Sequence, residues 1–157
     1  MRLTRYTDYA LRTLVYLGLR PGQQASIAAI AQAYDISENH LTKVVHHLGK
    51  LGLILTTRGR GGGIRLARPA EDIVIGDVVR QVEDDMVIVE CFGEASCAVS
   101  GTCRLQGILG EALQAFLAVL DRYTLADVLA FRPAEMAAVL GVPIDLSQLR
   151  RAVAAGA

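Results

Sequence analysis

The strongest constraint on the fold is a change in the spacing of apolar residues at Gly52. Before this glycine, apolar side chains recur every three or four positions, which is the spacing of one face of an α-helix. After it, the runs LILTTR and GIRLA favour β-strands, and the glycine-rich residues 59–63 between them favour a turn. The sequence therefore predicts helices first and a short β-hairpin second.

Three helices are predicted before the hairpin. The first covers roughly residues 3–19, and the second begins after Ser26, a residue type that caps helix N-termini. The third covers residues 38–51 and has Ser37 as its candidate cap. This order predicts a mainly α protein with a small β-hairpin, in which residues 1–80 form a winged helix-turn-helix domain.

The rest of the chain is predicted to form a second unit, residues 81–145, and a flexible tail, residues 146–157. A short helix over residues 75–82 precedes a loop that contains the cysteines, and a long helix over residues 104–120 follows it. The apolar stripe of the long helix is wider than one small domain needs, so we expect it to form a dimer interface. This stripe consists of Leu105, Ile108, Leu109, Leu113, Phe116, Leu117 and Leu120.

The formal net charge is zero, but the charges are unevenly distributed. Residues 1–80 contain 11 Lys and Arg and 6 Asp and Glu, a net charge of +5. Residues 81–157 contain 5 and 10 respectively, a net charge of −5. A basic half can neutralise phosphates, whereas an acidic half is repelled by them and is expected to face away from DNA.

The N-terminal residues carry charges where a signal peptide is apolar, and no later stretch offers about 18 uncharged apolar residues. We therefore expect a cytoplasmic protein with no membrane partner. In that reducing compartment, an odd number of cysteines favours metal binding or redox chemistry over disulfides.

The third helix has a polar face opposite its apolar stripe. Such side chains can hydrogen-bond base edges and phosphates from within the major groove, although a solvated helix face is the commoner arrangement. Arginines around the hairpin glycines favour DNA binding, because arginine fits a narrow minor groove and glycine permits close approach to phosphate. A plain flexible turn remains an alternative, whereas a Walker phosphate loop is excluded because no Lys-Ser/Thr pair follows the glycines. The predicted DNA-binding residues are Ser37, Glu38, Asn39, His40, Lys43 and His47 in the helix, and Arg58, Arg60 and Arg65 in the hairpin.

The three cysteines, Cys91, Cys97 and Cys103, lie in one segment at equal intervals of six residues. On a helix their side chains would point about 120° apart, so they converge only if the segment is a loop. Structural zinc sites use paired cysteines at closer spacing, whereas iron–sulfur clusters tolerate variable spacing. A 4Fe-4S or 2Fe-2S cluster with one further ligand is therefore favoured, and structural thiols or a thiol-oxidation switch are the alternatives.

Several motifs together resemble the bacterial winged-helix iron–sulfur regulators, and most closely their nitric-oxide-sensing members. They extend from residue 1 to about residue 140 and agree with the family in order and distance. Members that control cluster assembly carry a His three residues after the third cysteine, and the Gln106 of this chain disfavours that role. The motifs are MRLTRYTDYALRTLVYL, ISENHLTKVVHHLGKLG, RGRGGGIRLARP, IGDVVR, the evenly spaced cysteines and YTLADVL.

The resemblance implies a homodimeric transcriptional repressor, not an enzyme, that binds palindromic operator DNA. It also implies a labile 4Fe-4S cluster held by Cys91, Cys97, Cys103 and, in place of a fourth thiolate, Asp8 of the partner subunit. Nitric oxide is the implied effector, and loss of the thiolate ligands is expected to release the DNA. The alternatives are a related regulator of iron status or oxidative stress, with a 2Fe-2S cluster or a thiol switch, and a redox or cluster-carrying protein that does not bind DNA.

Overall fold

The computed structural model describes residues 2–93, 97–99 and 102–154. Within these residues the chain forms eight α-helices, two strands and two short 3₁₀ helices, Ala70–Asp72 and Glu90–Phe92. The helices are α1 Arg5–Gly18, α2 Ile27–Tyr34, α3 Glu38–Lys50, α4 Ile75–Val82, α5 Arg104–Leu120, α6 Leu125–Ala130, α7 Pro133–Val139 and α8 Leu146–Ala154, and the strands are β1 Ile54–Thr57 and β2 Gly63–Leu66.

The first three helices begin and end close to where their capping residues predict. The Ser26 hydroxyl accepts a hydrogen bond from the backbone N–H of Ala29 at 3.1 Å, which caps α2. Ser37 occupies the cap position of α3, but its side chain makes no capping hydrogen bond, contrary to the expectation. Gly52 follows α3 with φ at +67°, the left-handed conformation that glycine adopts without strain.

Strands β1 and β2 form the predicted antiparallel hairpin, with Ile54 opposite Leu66. The hairpin is held against the helices by Ala25, which exchanges backbone hydrogen bonds of 2.9 and 2.8 Å with Ile64 of β2. Ile54 and Ile64 are buried, so the inner face of the hairpin joins the core. The prediction of a mainly α fold with a wing is confirmed.

The main core contains residues from both ends of the chain. Leu14, Leu41 and Leu48 of the first three helices are fully buried, and Leu125 and Leu129 of α6 belong to the same cluster. Helix α6 packs against α1, so the C-terminal helices close the core of the winged region. The main core therefore contains residues from both sides of the predicted division near residue 80.

The predicted flexible tail is helical where the structure describes it. Helix α8 covers Leu146–Ala154, and Leu149 is 2% exposed within the main core. The sequence offers Leu146 and Leu149 one turn apart, a short pattern that the Ala- and Arg-rich composition obscured. The expectation of flexibility for residues 155–157 lies outside the described residues.

Helix α5 packs on the side of the winged region through a second, smaller cluster. Val79 of α4 is buried against Leu113 and Leu117, which are the buried side chains of α5. Leu105 and Ile108, which precede them on the helix, are 58% and 51% exposed. The start of the predicted stripe is thus left exposed by this chain, whereas Leu113, Phe116, Leu117 and Leu120 belong to the second cluster within it; the dimer interface stays a prediction.

The end of α5 is joined to α4 by polar contacts. The backbone N–H of Ile75 donates to the carbonyl of Tyr123 at 2.9 Å, and Arg80 forms two 2.6 Å contacts with the carboxylate of Asp121. This bidentate geometry fixes the relative orientation of the two helices. Among the described residues, no helix has both the length and the apolar character needed to cross a membrane.

Candidate functional site

Helix α3 presents a polar surface because its apolar side chains all point to the core. Leu41, Val44, Val45 and Leu48 are buried. The predicted DNA-binding residues of this helix lie on the opposite side: Ser37, Glu38, Asn39, His40 and Lys43 are exposed and His47 is half-buried. The structure therefore leaves these donors and acceptors free to meet another molecule.

The turn between β1 and β2 requires glycine for its backbone path. Gly59 and Gly61 have φ of +98° and +76°, and a Cβ on Gly62 would lie 2.9 Å from the carbonyl oxygen of Gly59. This tight turn exposes the predicted arginines Arg58, Arg60 and Arg65 rather than covering them. Arg58 and Arg60 thus extend from a turn with little side-chain bulk, and Arg65 extends from the adjoining strand β2, an arrangement that suits contact with phosphates.

Tyr6 of α1 supports the polar helix, a contribution that the sequence analysis missed. Its hydroxyl donates to the backbone carbonyl of Lys43 at 3.1 Å, and its ring centroid lies 5.8 Å from that of His47. Burial, together with the negative charge of Asp84, raises the pKa of Tyr6, so it stays a neutral hydrogen-bond donor. The only sign of this role in the sequence is that the YTDYA stretch begins with the aromatic residue Tyr6.

The cysteine segment lies in turns rather than in an α-helix where it is described. Cys91 lies in the 3₁₀ helix Glu90–Phe92 and is half-buried, Cys97 is exposed, and Cys103 is half-buried at the residue before α5. All three are free thiols. The predicted loop residues 94–96, 100 and 101 lie outside the described residues.

Gln106 links two parts of this segment. Its side-chain amide donates to the carbonyl oxygen of Cys91 at 2.8 Å, although the two residues are 15 positions apart. Because Gln106 lies in the first turn of α5, the bond holds Cys91 near the helix that begins after Cys103. The side chain at this position therefore acts as a structural tether.

The structure does not bring the predicted metal ligands together within one chain. Over residues 2–93, 97–99 and 102–154, no group of three His, Cys, Asp or Glu side chains could hold a metal ion. Asp8 is instead bound by Arg12, with contacts of 3.0 and 2.9 Å, and its side chain is 45% exposed. Three free thiols and an accessible carboxylate match the donors of an iron–sulfur cluster in type. Their assignment as ligands stays a prediction.

Arg12 connects Asp8 to the helix-turn-helix. Its guanidinium carbon lies 5.6 Å from the ring centroid of Tyr34, the last residue of α2. Burial raises the pKa of Tyr34 to about 12, so the ring remains uncharged beside this cation.

A comparison with family models matches residues 3–130 to the Rrf2 family, described as iron-dependent transcriptional regulators. The chain is 56% identical over 131 residues to the HTH-type transcriptional regulator NsrR of Bacillus subtilis, covering 82% of this chain and 90% of that protein. It is 48% identical over 145 residues to the regulator of the same name in Oceanobacillus iheyensis, covering 90% and 98%.

Solved structures agree with this grouping. The fold matches CymR, the global cysteine regulator of Bacillus subtilis, with a TM-score of 0.69 at 26% identity, covering 83% of this chain and 98% of that one. It matches IscR of T. potens with a TM-score of 0.67 at 28% identity, covering 87% and 90%. These relatives are regulators of transcription and not enzymes. The chain belongs to the Rrf2 family of transcriptional regulators.

Proposed function

We propose that this protein is a homodimeric repressor that binds palindromic operator DNA and senses nitric oxide through a labile 4Fe-4S cluster. Similarity to regulators named NsrR supports the proposal, as do the exposed polar face of α3 and the free cysteines before α5. The protein would act in the cytoplasm.

Two surfaces would contact the DNA. Glu38, Asn39 and His40, in the first turn of α3, would hydrogen-bond base edges in the major groove, and Lys43 would neutralise a phosphate. The arginines of the β1–β2 hairpin would reach the adjacent minor groove. In a two-fold dimer each subunit would contact one half-site, which is why a palindromic operator is expected.

The proposed cluster ligands are Cys91, Cys97, Cys103 and Asp8 of the partner subunit. Thiolates are soft ligands suited to iron–sulfur centres, and a carboxylate is a harder and weaker one, so the aspartate would exchange most readily. When bound, the cluster would supply iron that is open to nitric oxide, and Cys91, Cys97 and Cys103 would be the thiolates that are released. Within this chain, Asp8 has an alternative partner in Arg12, which would stabilise its carboxylate when it is not a ligand.

Ligation would be coupled to DNA binding through α5. Thiolate bonds at Cys91 and Cys103 would fix the segment that leads into this helix, and α5 packs on α4 of the winged region. Release of the thiols would loosen the start of α5 and alter the spacing between the two α3 helices of a dimer. A coupling free energy of about 1–3 kcal/mol would change operator affinity about 5- to 150-fold.

The observation that carries the proposal is the presence of three free thiols in the segment before α5 of a chain that is 56% identical to a regulator named NsrR. The test is to purify the protein without oxygen, identify its cluster by Mössbauer and absorption spectroscopy, and select its binding sites from random DNA. We expect a 4Fe-4S spectrum and enrichment of one palindromic sequence. Reconstituted protein that retains no iron, or enriches no sequence, would contradict the proposal.

The response to metal supply separates the nitric-oxide sensor from a second candidate, a regulator of iron availability. The family description as iron-dependent favours that candidate. For the iron regulator, a chelator should release the DNA while nitric oxide at cluster stoichiometry should not. For the nitric-oxide sensor, nitric oxide should release the DNA while the iron is still bound to the protein, without any chelator.

A further inference from the structure

A cavity of about 410 Å³ lies between the end of α1, the connection from β2 to α4, and α8. Its floor is apolar, because Leu17, Leu129 and Leu149 line it and are 2%, 0% and 2% exposed. Gly18 permits this floor to form, since a Cβ there would collide with the side chain of Leu129. The volume is within the range of small-molecule sites, which begins at about 300 Å³.

The rim of the cavity is charged. Arg20, Arg65 and Arg68 line it together with a single acid, Glu71. Arg68 is held in place by hydrogen bonds of 3.2 to 3.4 Å to the backbone carbonyls of Leu51 and Gly52. Three cations and one anion around an apolar floor favour a ligand with a carboxylate and an apolar part.

Two lining residues have buried polar atoms without partners. The Nε of Arg20 and the Oε2 of Glu71 are buried, and neither forms a hydrogen bond with any of the described residues. The two side chains also do not form an ion pair within this part of the chain, although their charges are opposite. Buried polar groups in folded proteins are normally satisfied by protein, water or ligand atoms. Because these two atoms have almost no accessible surface, the terminal groups of Arg20 and Glu71 must rotate before a molecule in the cavity can satisfy them.

We propose that this cavity binds a small aliphatic α-amino acid. Its carboxylate would accept hydrogen bonds from Arg20, its ammonium group would donate to Glu71, and its side chain would pack on the leucine floor. Part of the wall comes from α8, which lies beyond the residues 3–130 matched by the Rrf2 family model. The site is therefore built by the C-terminal segment of this chain together with the winged region; it shares Arg65 with the proposed DNA-binding surface and no residue with the proposed cluster site.

The first test is titration calorimetry of the full chain with L-leucine, L-isoleucine, L-valine and L-methionine. Two analogues of leucine isolate the charges, since L-leucinamide lacks the carboxylate and 4-methyl-2-oxopentanoate lacks the ammonium group. We expect at least one of the four amino acids to bind, and we expect both analogues of leucine to bind at least about tenfold more weakly than leucine. The highest amino-acid concentration is about 10 mM, which sets the weakest affinity that counts as binding. If none of the four amino acids binds detectably up to this concentration, the proposal is overturned. Equal binding of leucine and its analogues would also overturn it.

The second test uses Glu71→Gln, with Glu135→Gln as a control outside the cavity, on the exposed surface of α7 where its carboxylate binds Arg132. We expect Glu71→Gln to weaken amino-acid binding about tenfold and to leave binding of the 2-oxo acid unchanged. The control should change neither. Equal loss of both ligands in a variant that melts like the wild type would overturn the role of Glu71. If the variant fails to fold, the comparison of leucine with its analogues on the wild type decides the question.

Discussion

Gly76 lies in the first turn of α4, where the absence of a side chain leaves room for the Arg80–Asp121 ion pair. A Cβ at this position would collide with the carboxylate of Asp121 and lie 3.1 Å from a guanidinium nitrogen of Arg80. We expect Gly76→Ala to lower the free energy of unfolding by about 1–3 kcal/mol, because the pair and the α4–α5 contact must shift. Urea denaturation measures the change.

Gly49 provides the matched control for this substitution. It is also helical, it is exposed, and a Cβ there would meet none of the described atoms within 4 Å. Gly49→Ala should stabilise the protein by up to about 1 kcal/mol, because alanine has the higher helix propensity. Equal effects of the two substitutions would show that the space around Gly76 is unimportant.

Gln106 is the second residue with a specific expected effect. Gln106→Ala removes the bond to the carbonyl of Cys91 and should make the segment before α5 less ordered. We expect the reconstituted variant to lose its iron–sulfur absorbance several-fold faster in air than the wild type. Gln114→Ala, on the exposed side of α5, should lose it at the wild-type rate. Identical rates for all three proteins would exclude a tethering role.

Some of these residue-level features could be predicted from sequence and others could not. The exposure of Asn39 and His40 follows from their position opposite an apolar stripe, and the turn arginines follow from the glycines around them. The contact between Gln106 and Cys91 spans a loop whose path no local pattern specifies. The ion pair between Asp8 and Arg12 could have been predicted, because residues four apart on a helix lie next to each other on its surface.

At the scale of elements, α5 has an apolar face that this chain does not cover. Leu105, Ile108, Ala112, Ala115 and Val119 are exposed and are spaced three and four residues apart, as in a helix that pairs with another helix. We propose that this face meets its counterpart in a second copy. Ile108→Glu should convert a dimer to a monomer in size-exclusion chromatography with light scattering. Gln114→Glu, on the polar side of α5, should remain dimeric, and a dimeric Ile108→Glu protein would contradict the assignment.

Two carboxylates after α5, those of Asp121 and Asp127, should make the stability of the fold sensitive to acid. The hydrogen bond from Arg80 lowers the pKa of Asp121, and hydrogen bonds from the N–H and hydroxyl of Thr124 lower the pKa of Asp127. Because folding lowers these pKa values, the stability they contribute is present above the ordinary carboxyl pKa and is lost as the pH falls through the folded values. The urea concentration at which half of the protein is unfolded, followed by circular dichroism, should therefore decrease as the pH is lowered below about 4.

The variant Asp127→Asn tests whether these carboxylates cause the loss of stability in acid. It cannot titrate, so the decline in its unfolding midpoint between about pH 4 and pH 2 should be shallower than that of the wild type. A midpoint that does not vary over this range in the wild type would contradict the assignment of these two carboxylates.

Regular apolar spacing was enough to predict most helices. The predicted ranges 75–82 and 104–120 coincide with α4 and α5. Helix α8 was missed because its packing depends on Leu149 reaching a core formed by distant residues. A short amphipathic pattern alone does not distinguish a docked helix from a tail.

At the scale of the whole molecule, the core joins residues from α1 to α4 with residues from α6 to α8. The charges divide near residue 80 in the sequence, but the main core does not. Sequence patterns predict well which side chains are buried. They predict less well which elements pack against each other, because long-range packing depends on the path of the connecting loops. The pairing of α1 with α6 is such a case.

The central claim, that nitric oxide controls operator binding, is tested most directly by fluorescence anisotropy without oxygen. Cluster-loaded protein is titrated against its selected palindromic DNA before and after addition of nitric oxide, with protein lacking the cluster as the reference. We predict that nitric oxide weakens binding by at least about tenfold, to the level of the reference. Equal affinity before and after nitric oxide, in protein whose spectrum shows that the cluster has reacted, would contradict the claim.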